Sequence, residues 1–405
     1  MKILHVNEHY GSVGGTERYL AEICGAQARL GWDPVVVASS TVAISAEARP
    51  PRIHLLEPSY GLRSTHRALA PLKRILDTER PDLVHLHNTQ YFLGPWLLSV
   101  LQSRAPVIQT VHDTRMVCPR WLSKIIPSAS APCRYPMGSH CFRHGCYPFH
   151  RTPEGVAQNL QKFLLVGWQL ASLRRLERVL VPSAYIHEQL RLNGVPERRL
   201  ETLPLFLRAD FAPPARPATT RCIVFAGRVE ESKGMRHFLD CLARLSALPW
   251  TAQVAGGGPF LVEARAVAAR HGLTGRVEFL GQLSREDLAR VLGNARVVVM
   301  PSLMPESFGL TGLEALACGT PVVAFDAGGI TEWLADGITG FVVPWGDTTA
   351  LTARVRQLLE DDILAAKLSR QSREHARGFE LAGHMDRLCG IYTEVTATHH
   401  RAETG

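Results

Sequence analysis

Four charged residues in the C-terminal half have the types and spacing needed to hold an anionic, hydroxyl-rich ligand. The run IVFAG ends in Gly227-Arg228, and VEESKGMRHF then leads through Lys233 into a helical segment. Arg228 and Lys233 therefore stand where a strand hands over to a helix N-terminus. Unpaired backbone N–H groups and a partial positive charge already favour an anion there, and an Arg fork with a Lys point charge completes a diphosphate pocket. Solvated loop cations are the plain alternative. Downstream, MPSLMPESFGLTGLEALACGTPVVAFDAGG places Glu306 in a loop after a strand and Glu314 eight residues later on the following helix. Glu306 precedes Ser307-Phe308-Gly309, where a glycine lets backbone amides approach a ligand, and Glu314 lies about two turns further on. One carboxylate can meet a sugar and the other a ribose; two surface glutamates flanking a helix start are the bland reading.

Positioning these residues calls for a sheet whose strands end at the ligand. Residues 2–7 read as a buried strand, 16–30 as an amphipathic helix and 34–39 as a second strand, a βαβ opening around the Gly11–Gly15 loop. Apolar runs at 82–86, 106–111 and 178–182 continue the alternation expected of a parallel sheet. A proline-rich, aperiodic stretch then reads as a linker, after which strands at 222–227, 251–255, 276–280, 296–300, 320–324 and 340–343 alternate with helices. The expected architecture is α/β, two Rossmann-like doubly wound parallel-sheet domains facing a central cleft. Residues 1–205 are expected to form the first domain with a Cys-rich insertion at 118–146, 206–220 the linker, 221–376 the second domain, and 377–405 a helix and tail packing back toward the N-terminal domain.

In order along the chain, AGRVEESKG, VAGGGP at 254–259, VEFLGQLSREDL, VVVMPSLMPESFGLTGLEALACGTPVVA, GGITEWLADGITGFVVPWGD and the His112-Asp113 pair after VIQTV resemble the retaining glycosyltransferases of family 4, which have the GT-B fold. The motifs span most of residues 221–350 and touch the N-terminal half more thinly. The resemblance implies that Arg228 and Lys233 bind the donor diphosphate, that Glu306 contacts donor-sugar hydroxyls and that Glu314 binds the ribose. It implies backbone amides from Phe308, Gly309 and Leu310, a cleft lined near the phosphate and acceptor by Gly14 and Gly15, further donor contacts at Gly257, Gly258 and Ser307, and His112 approaching the transferred sugar. Two positions depart from the family pattern: Gly257 stands where an acidic residue is frequent, and Leu205-Phe206 replace a common Asn-Gly.

Composition narrows the alternatives. With 405 residues, 46% hydrophobic and 20% charged, the chain suits two globular domains. MKILHVN does not read as a signal peptide and no apolar run reaches about 18 residues, so a cytoplasmic protein, peripheral at the inner face of the cell membrane if attached, is expected. The net charge of +8 sits in residues 1–215, where 25 Lys+Arg face 16 Asp+Glu. That bias suits an anionic membrane surface or lipid pyrophosphate as well as a merely basic surface, and net charge alone is no case for nucleic acid. The segment QKFLLVGWQLASLRRLERVLVPS reads as a helix with Arg174, Arg175 and Arg178 on one side, either membrane-facing or packed on the core. Cys118, Cys133, Cys141 and Cys146 cluster after His112 and read either as structural zinc ligands or as plain thiols. GSVGG lacks the dinucleotide-binding G-x-G-x-x-G spacing, which argues against a dehydrogenase.

The expected function is transfer of a sugar from a UDP-, GDP- or ADP-sugar to a glycan or lipid-linked acceptor in cell-surface polysaccharide or glycoconjugate synthesis. No Asp-x-Asp pair is present to hold a catalytic metal, and Arg228, Lys233 and the helix start take that electrostatic task, so no cofactor beyond the nucleotide sugar is expected. A non-catalytic GT-B subunit or regulator of a glycosyltransferase complex is the second reading; retention of all four charged residues argues against it.

Overall fold

The computed structural model describes residues 1–10, 14–40, 52–57, 62–89, 96–118, 120, 124–126, 131–146, 153–207 and 221–404. Residues 208–220 of the expected linker and 11–13 of the first glycine loop lie outside them. The chain forms two compact units, one of Met1–Trp121, Arg134–Leu203 and Met385–Gly405, the other of Leu122–Cys133 and Pro204–His384.

The first unit opens with β1 (Lys2–Val6), α1 (Gly15–Arg29), β2 (Asp33–Ser39), β3 (Ile53–Leu56), α2 (Leu62–Glu79), β4 (Leu83–Leu86), α3 (Trp96–Gln102) and β5 (Val107–Thr110). A short antiparallel pair, β6 (Ile125–Ile126) with β7 (Ala131–Pro132), belongs to the second unit. The first unit resumes with α4 (Ser139–Arg143), α5 (Pro153–Leu173), β8 (Arg178–Val181), α6 (Ala184–Leu192) and β9 (Leu200–Thr202). Its seven strands run parallel in the order β3-β2-β1-β4-β5-β8-β9. The interiors of strands such as β2 (VVVA) and β8 (VLV) are continuously apolar and buried because a parallel sheet is covered on both faces. α1 turns Tyr19, Leu20, Ile23, Cys24 and Gln27 inward at helical spacing.

The second unit contains β10 (Cys222–Ala226), α7 (Met235–Arg244), β11 (Thr251–Ala255), α8 (Leu261–Arg270), β12 (Val277–Gly281), α9 (Arg285–Gly293), β13 (Val297–Met300), α10 (Leu310–Ala317), β14 (Val322–Phe325), β15 (Gly340–Val343), α11 (Thr348–Glu360) and α12 (Asp362–Ala376). Its sheet order is β12-β11-β10-β13-β14-β15, all parallel. Strand order reverses between β10 and β13, the point at which doubly wound sheets open a crevice beyond their strand ends. α13 (Leu381–Thr404) follows, and from Met385 onward it is part of the first unit. There Arg387 donates to Thr202 O at 2.7 Å, and Arg178 pairs with Glu394.

One helix differs from expectation. α5 ends at Leu173, so Arg174 and Arg175 lie in the turn after it and Arg178 starts β8. Arg174 donates to Asn193 O at 2.7 Å. The three arginines form no common helix face. Among the described residues, no helix is long and apolar enough to cross a membrane.

Candidate functional site

In the second unit, the loops leaving β10 and β13 carry the charged residues singled out in the sequence. The β10 loop passes Arg228, makes a single 3-10 turn over Glu231–Lys233 and enters α7 through Gly234. Gly234 has φ +74, and a Cβ there would fall 1.7 Å from Pro301 O, so this turn abuts the start of the β13 loop as only glycine permits. The two loops are stitched together by Leu303 and Met304, whose amides donate to Ser232 O at 2.9 and 3.0 Å. Across that seam Lys233 Nζ reaches both carboxylate oxygens of Glu306, at 2.7 and 2.9 Å. Glu306 is also fixed through its backbone, its amide donating to Ala327 O and its carbonyl accepting from Gly329 N.

Arg228 is half-exposed and pairs with Glu230 at 2.9 Å, and Ser232 donates to the other Glu230 oxygen at 3.0 Å. Each cation rests on its own carboxylate, Arg228 on Glu230 and Lys233 on Glu306.

Gly309, at φ +88, caps the N-terminus of α10, and Leu310 begins the helix. Gly312 N donates to Gly309 O at 3.0 Å, and the amides of Leu310 and Thr311 stand ahead of it at the helix terminus, a position that attracts oxyanions. Phe308 is buried, and its carbonyl accepts from the Trp333 indole N–H, which anchors the approach to the helix. Ser307 and Glu314 are partly exposed, Glu314 in the second turn of α10. Gly257 and Gly258 lie in the loop between β11 and α8, where Gly257 O accepts from Val229 N at 2.9 Å. A Cβ on Gly257 would meet only Gln282 at 3.8 Å, so the departure from an acidic residue there leaves space rather than filling a steric need.

In the first unit, Gly14 caps α1 in an extended conformation and Gly15 begins the helix. His112 follows β5 and is buried. Its neighbour Asp113 is structural, accepting from the backbone amide and side chain of Arg115 at 2.8 and 2.7 Å. His112 joins a buried row of imidazoles that sequence reading did not assemble. His112 Nε2 lies 3.1 Å from His87 Nδ1, His87 Nε2 lies 3.2 Å from His5 Nδ1, and His5 Nε2 lies 2.9 Å from Gln27 Oε1. His85 stands opposite His5 in the β1–β4 register and bonds Tyr392 OH at 2.6 Å and Thr110 Oγ1 at 2.7 Å. Burial holds the His5 imidazole at about 4, against a smaller upward pull from Gln27. Burial, followed by the neighbouring imidazoles His85, His112 and His5, pushes His87 well below the ordinary value.

Among the described residues, the group with metal-ligand spacing is His5, His85 and His87, and not the cysteines. Cys118, Cys141 and Cys146, which share the first unit, converge on no such site, and no cysteine is in a disulfide.

Comparison with known proteins resolves the relationship. The family model described as Glycosyltransferase Family 4 matches residues 13–210, and that described as Glycosyl transferases group 1 matches residues 208–375. The chain belongs to glycosyltransferase family 4. Among its relatives, D-inositol 3-phosphate glycosyltransferase of Mycolicibacterium smegmatis is 35% identical over 45% of this chain and 42% of its own length. The chain thus spans less than half the length of that relative. 2-Deoxystreptamine N-acetyl-D-glucosaminyltransferase of Streptomyces fradiae is 29% identical over 77% of this chain and 76% of its own length. Among solved structures, sucrose-phosphate synthase from Thermosynechococcus elongatus superposes with a TM-score of 0.72 at 21% identity, over 98% of this chain and 99% of that one. Anabaena HepE in complex with UDP-glucose gives 0.70 at 19%, over 97% and 100%. The fold of this family 4 member is GT-B.

Proposed function

We propose that the chain is a retaining glycosyltransferase that moves a sugar from a nucleotide-diphosphate donor to an acceptor hydroxyl. The observation that carries this reading is the seam at the sheet's switch point, where Lys233, Glu306 and the capped start of α10 are held by backbone hydrogen bonds from three loops. Arg228, Lys233 and the first-turn amides of α10 are assigned to the diphosphate, Glu306 to donor-sugar hydroxyls, Glu314 to the ribose and His112 to the transferred sugar. As the bond from C1 to the phosphate oxygen breaks, negative charge grows on the leaving group and positive charge on the sugar, and fixed cations stabilise the first. The acceptor oxygen bonds C1 on the same face while its proton passes to the leaving phosphate oxygen. Trapping of a glycosyl-enzyme adduct would overturn this route.

UDP is the favoured nucleotide, supported by the HepE complex with UDP-glucose. The sequence-based reading of the acceptor is a glycan or lipid-linked chain at an inner membrane face. A small cyclic polyol is a second reading, favoured by relatives named for D-inositol 3-phosphate and 2-deoxystreptamine. The deciding measurement is thermal stabilisation by UDP, GDP and ADP, which amounts to about 2.7 kcal/mol at 100 times the dissociation constant. One nucleotide should stabilise the wild type and lose that effect in both Arg228→Ala and Glu314→Ala. A folded protein that binds none of them overturns the proposal and favours a non-catalytic GT-B subunit.

A further inference from the structure

The first sheet has a switch point of its own, and a carboxylate stands at it. Strand order reverses between β1 and β4, the place where doubly wound sheets take ligands beyond their strand ends. Past β1 the backbone stays tied to both neighbouring strands: Glu8 N donates to Asn88 O at 2.7 Å, and Glu8 O accepts from Ser39 N at 3.0 Å. Glu8 is thereby fixed at the carboxyl edge of the sheet. The residue is only 9% exposed, yet among the described residues no hydrogen bond reaches its carboxylate. His9 Nε2 comes within 3.9 Å, beyond bonding distance, and the Arg115 guanidinium is held on Asp113 at 2.7 Å. The side-chain amides of Asn7 and Asn88 turn to His9 O at 2.6 Å and Thr16 Oγ1 at 3.1 Å instead.

The surroundings add negative charge. Glu17, in the first turn of α1, is buried; its Oε1 accepts from Asn7 Nδ2 at 3.5 Å, and its Oε2 lies 2.6 Å from where a Cβ on Gly14 would stand. Glycine at the N-cap of α1 thus makes room for a second carboxylate beside Asn7. Burial pushes the Glu8 carboxyl above its ordinary value, His9 and Arg115 pull it back by less, and Glu17 adds to the rise. A buried carboxylate without a hydrogen-bond partner costs stability, and a second one nearby raises that cost. A ligand hydroxyl would satisfy one oxygen, whereas a cation also offsets the charge. The two switch points therefore differ in sign: the second sheet's carries Arg228 and Lys233, the first sheet's Glu8 and Glu17.

We propose that Glu8, with Glu17 nearby, forms a subsite for an ammonium group of the acceptor, which makes the acceptor class an amino sugar or aminocyclitol. The inference rests on the reading of the acceptor as a small cyclic polyol, and it narrows that reading to rings that carry an amine.

The test is calorimetric titration of the full-length protein, in saturating UDP at pH 7, with 2-deoxystreptamine and with myo-inositol, rings of the same size that differ in their ammonium groups. Wild type should bind the diamine about tenfold or more tighter than inositol, and Glu8→Gln should remove that preference while changing the UDP dissociation constant less than about twofold. Glu8→Gln should also melt higher than wild type at pH 7, because a carboxyl whose pKa is raised by folding costs stability once ionised. That readout separates a carboxylate kept for a ligand from a structural one: a melting temperature no higher than wild type means that Glu8 is paired within the fold and overturns the inference. If both rings bind alike, or the diamine binds Glu8→Gln as tightly as wild type, the cyclic-polyol reading stands and the ammonium subsite falls. If neither ring binds to protein that binds UDP, the cyclic-polyol reading falls and takes the subsite with it.

Discussion

Lys233 and Glu306 hold each other across 73 residues of sequence, and each restricts what the other can do without ligand. Removing either leaves its partner charged and only 11–22% exposed in its side chain. Lys233→Ala should weaken nucleotide binding about tenfold to a hundredfold, the range of one or two hydrogen bonds to a charged group, as read by calorimetric titration with UDP. Glu306→Gln frees the lysine from a competing charge, so nucleotide affinity should hold or rise while sugar turnover falls. Parallel losses of affinity in both variants would mean that the pair supports the loop rather than the ligand. Glu79 is a different kind of residue. Burial pushes its carboxyl up, but His54, Arg52 and Lys2 outweigh that and leave it below the ordinary 4.5. A carboxyl lowered by folding stabilises above its unfolded pKa, and that contribution is lost as pH falls through the folded value. Glu79→Gln should therefore melt lower than wild type at pH 7, and the gap should close as pH drops below about 4.5.

At the scale of elements, α10 holds its place by the closeness of its backbone to its neighbours. A Cβ on Gly312 would fall 2.0 Å from the Trp333 ring and 2.7 Å from Met300 Sδ. Gly312→Ala should cost about 1–3 kcal/mol and shift α10 enough to impair UDP binding. Gly390, in α13, has open space around its Cβ position, so Gly390→Ala should add about 0.5–1 kcal/mol through helix propensity alone. Urea denaturation distinguishes the two. The same scale shows what could be read in advance. Strands such as VVVM at 297–300 were legible because continuous burial writes itself as a continuous apolar run. β3 was not, since IHLL is four residues long and only its last is buried. The end of α5 was also hidden, because Leu173 is followed by Arg174-Arg175 with neither glycine nor proline to mark the stop. At the site, residue types and order pointed to Arg228, Lys233, Glu306 and Glu314, but their pairing depends on loop geometry that spacing does not encode. The imidazole row left a faint trace: His85 in β4 and His87 just past its end lie two apart in sequence, but joining them to His5 needed the β1–β4 register.

For the molecule as a whole, the buried His5 and His87 add to its response to acid. A base whose folded pKa lies below its unfolded value contributes fully above the unfolded pKa, and that contribution declines as pH falls toward the folded one. Between about 6.5 and 4, His5 alone should remove about 1.4 kcal/mol per pH unit, with His87 adding to it. Both sit in the first unit, so scanning calorimetry from pH 7 to 5 should move that unit's transition to lower temperature and separate it from the second unit's. A single transition moving as one would show that the units unfold together.

The first unit is interrupted in sequence by residues 204–384 and regains part of itself only at 385–404. On the ribosome, residues 204–384 are synthesised before Tyr392, so the continuous second unit has its whole sequence in hand first. Until α13 emerges, His85 and Gln27 lack the phenol that joins their hydrogen bonds, and the network between β4 and α1 stays incomplete. Its folding is then paced by translation of the rest of the chain, at about 5–20 residues per second, and over that interval a chaperone has the most to shield.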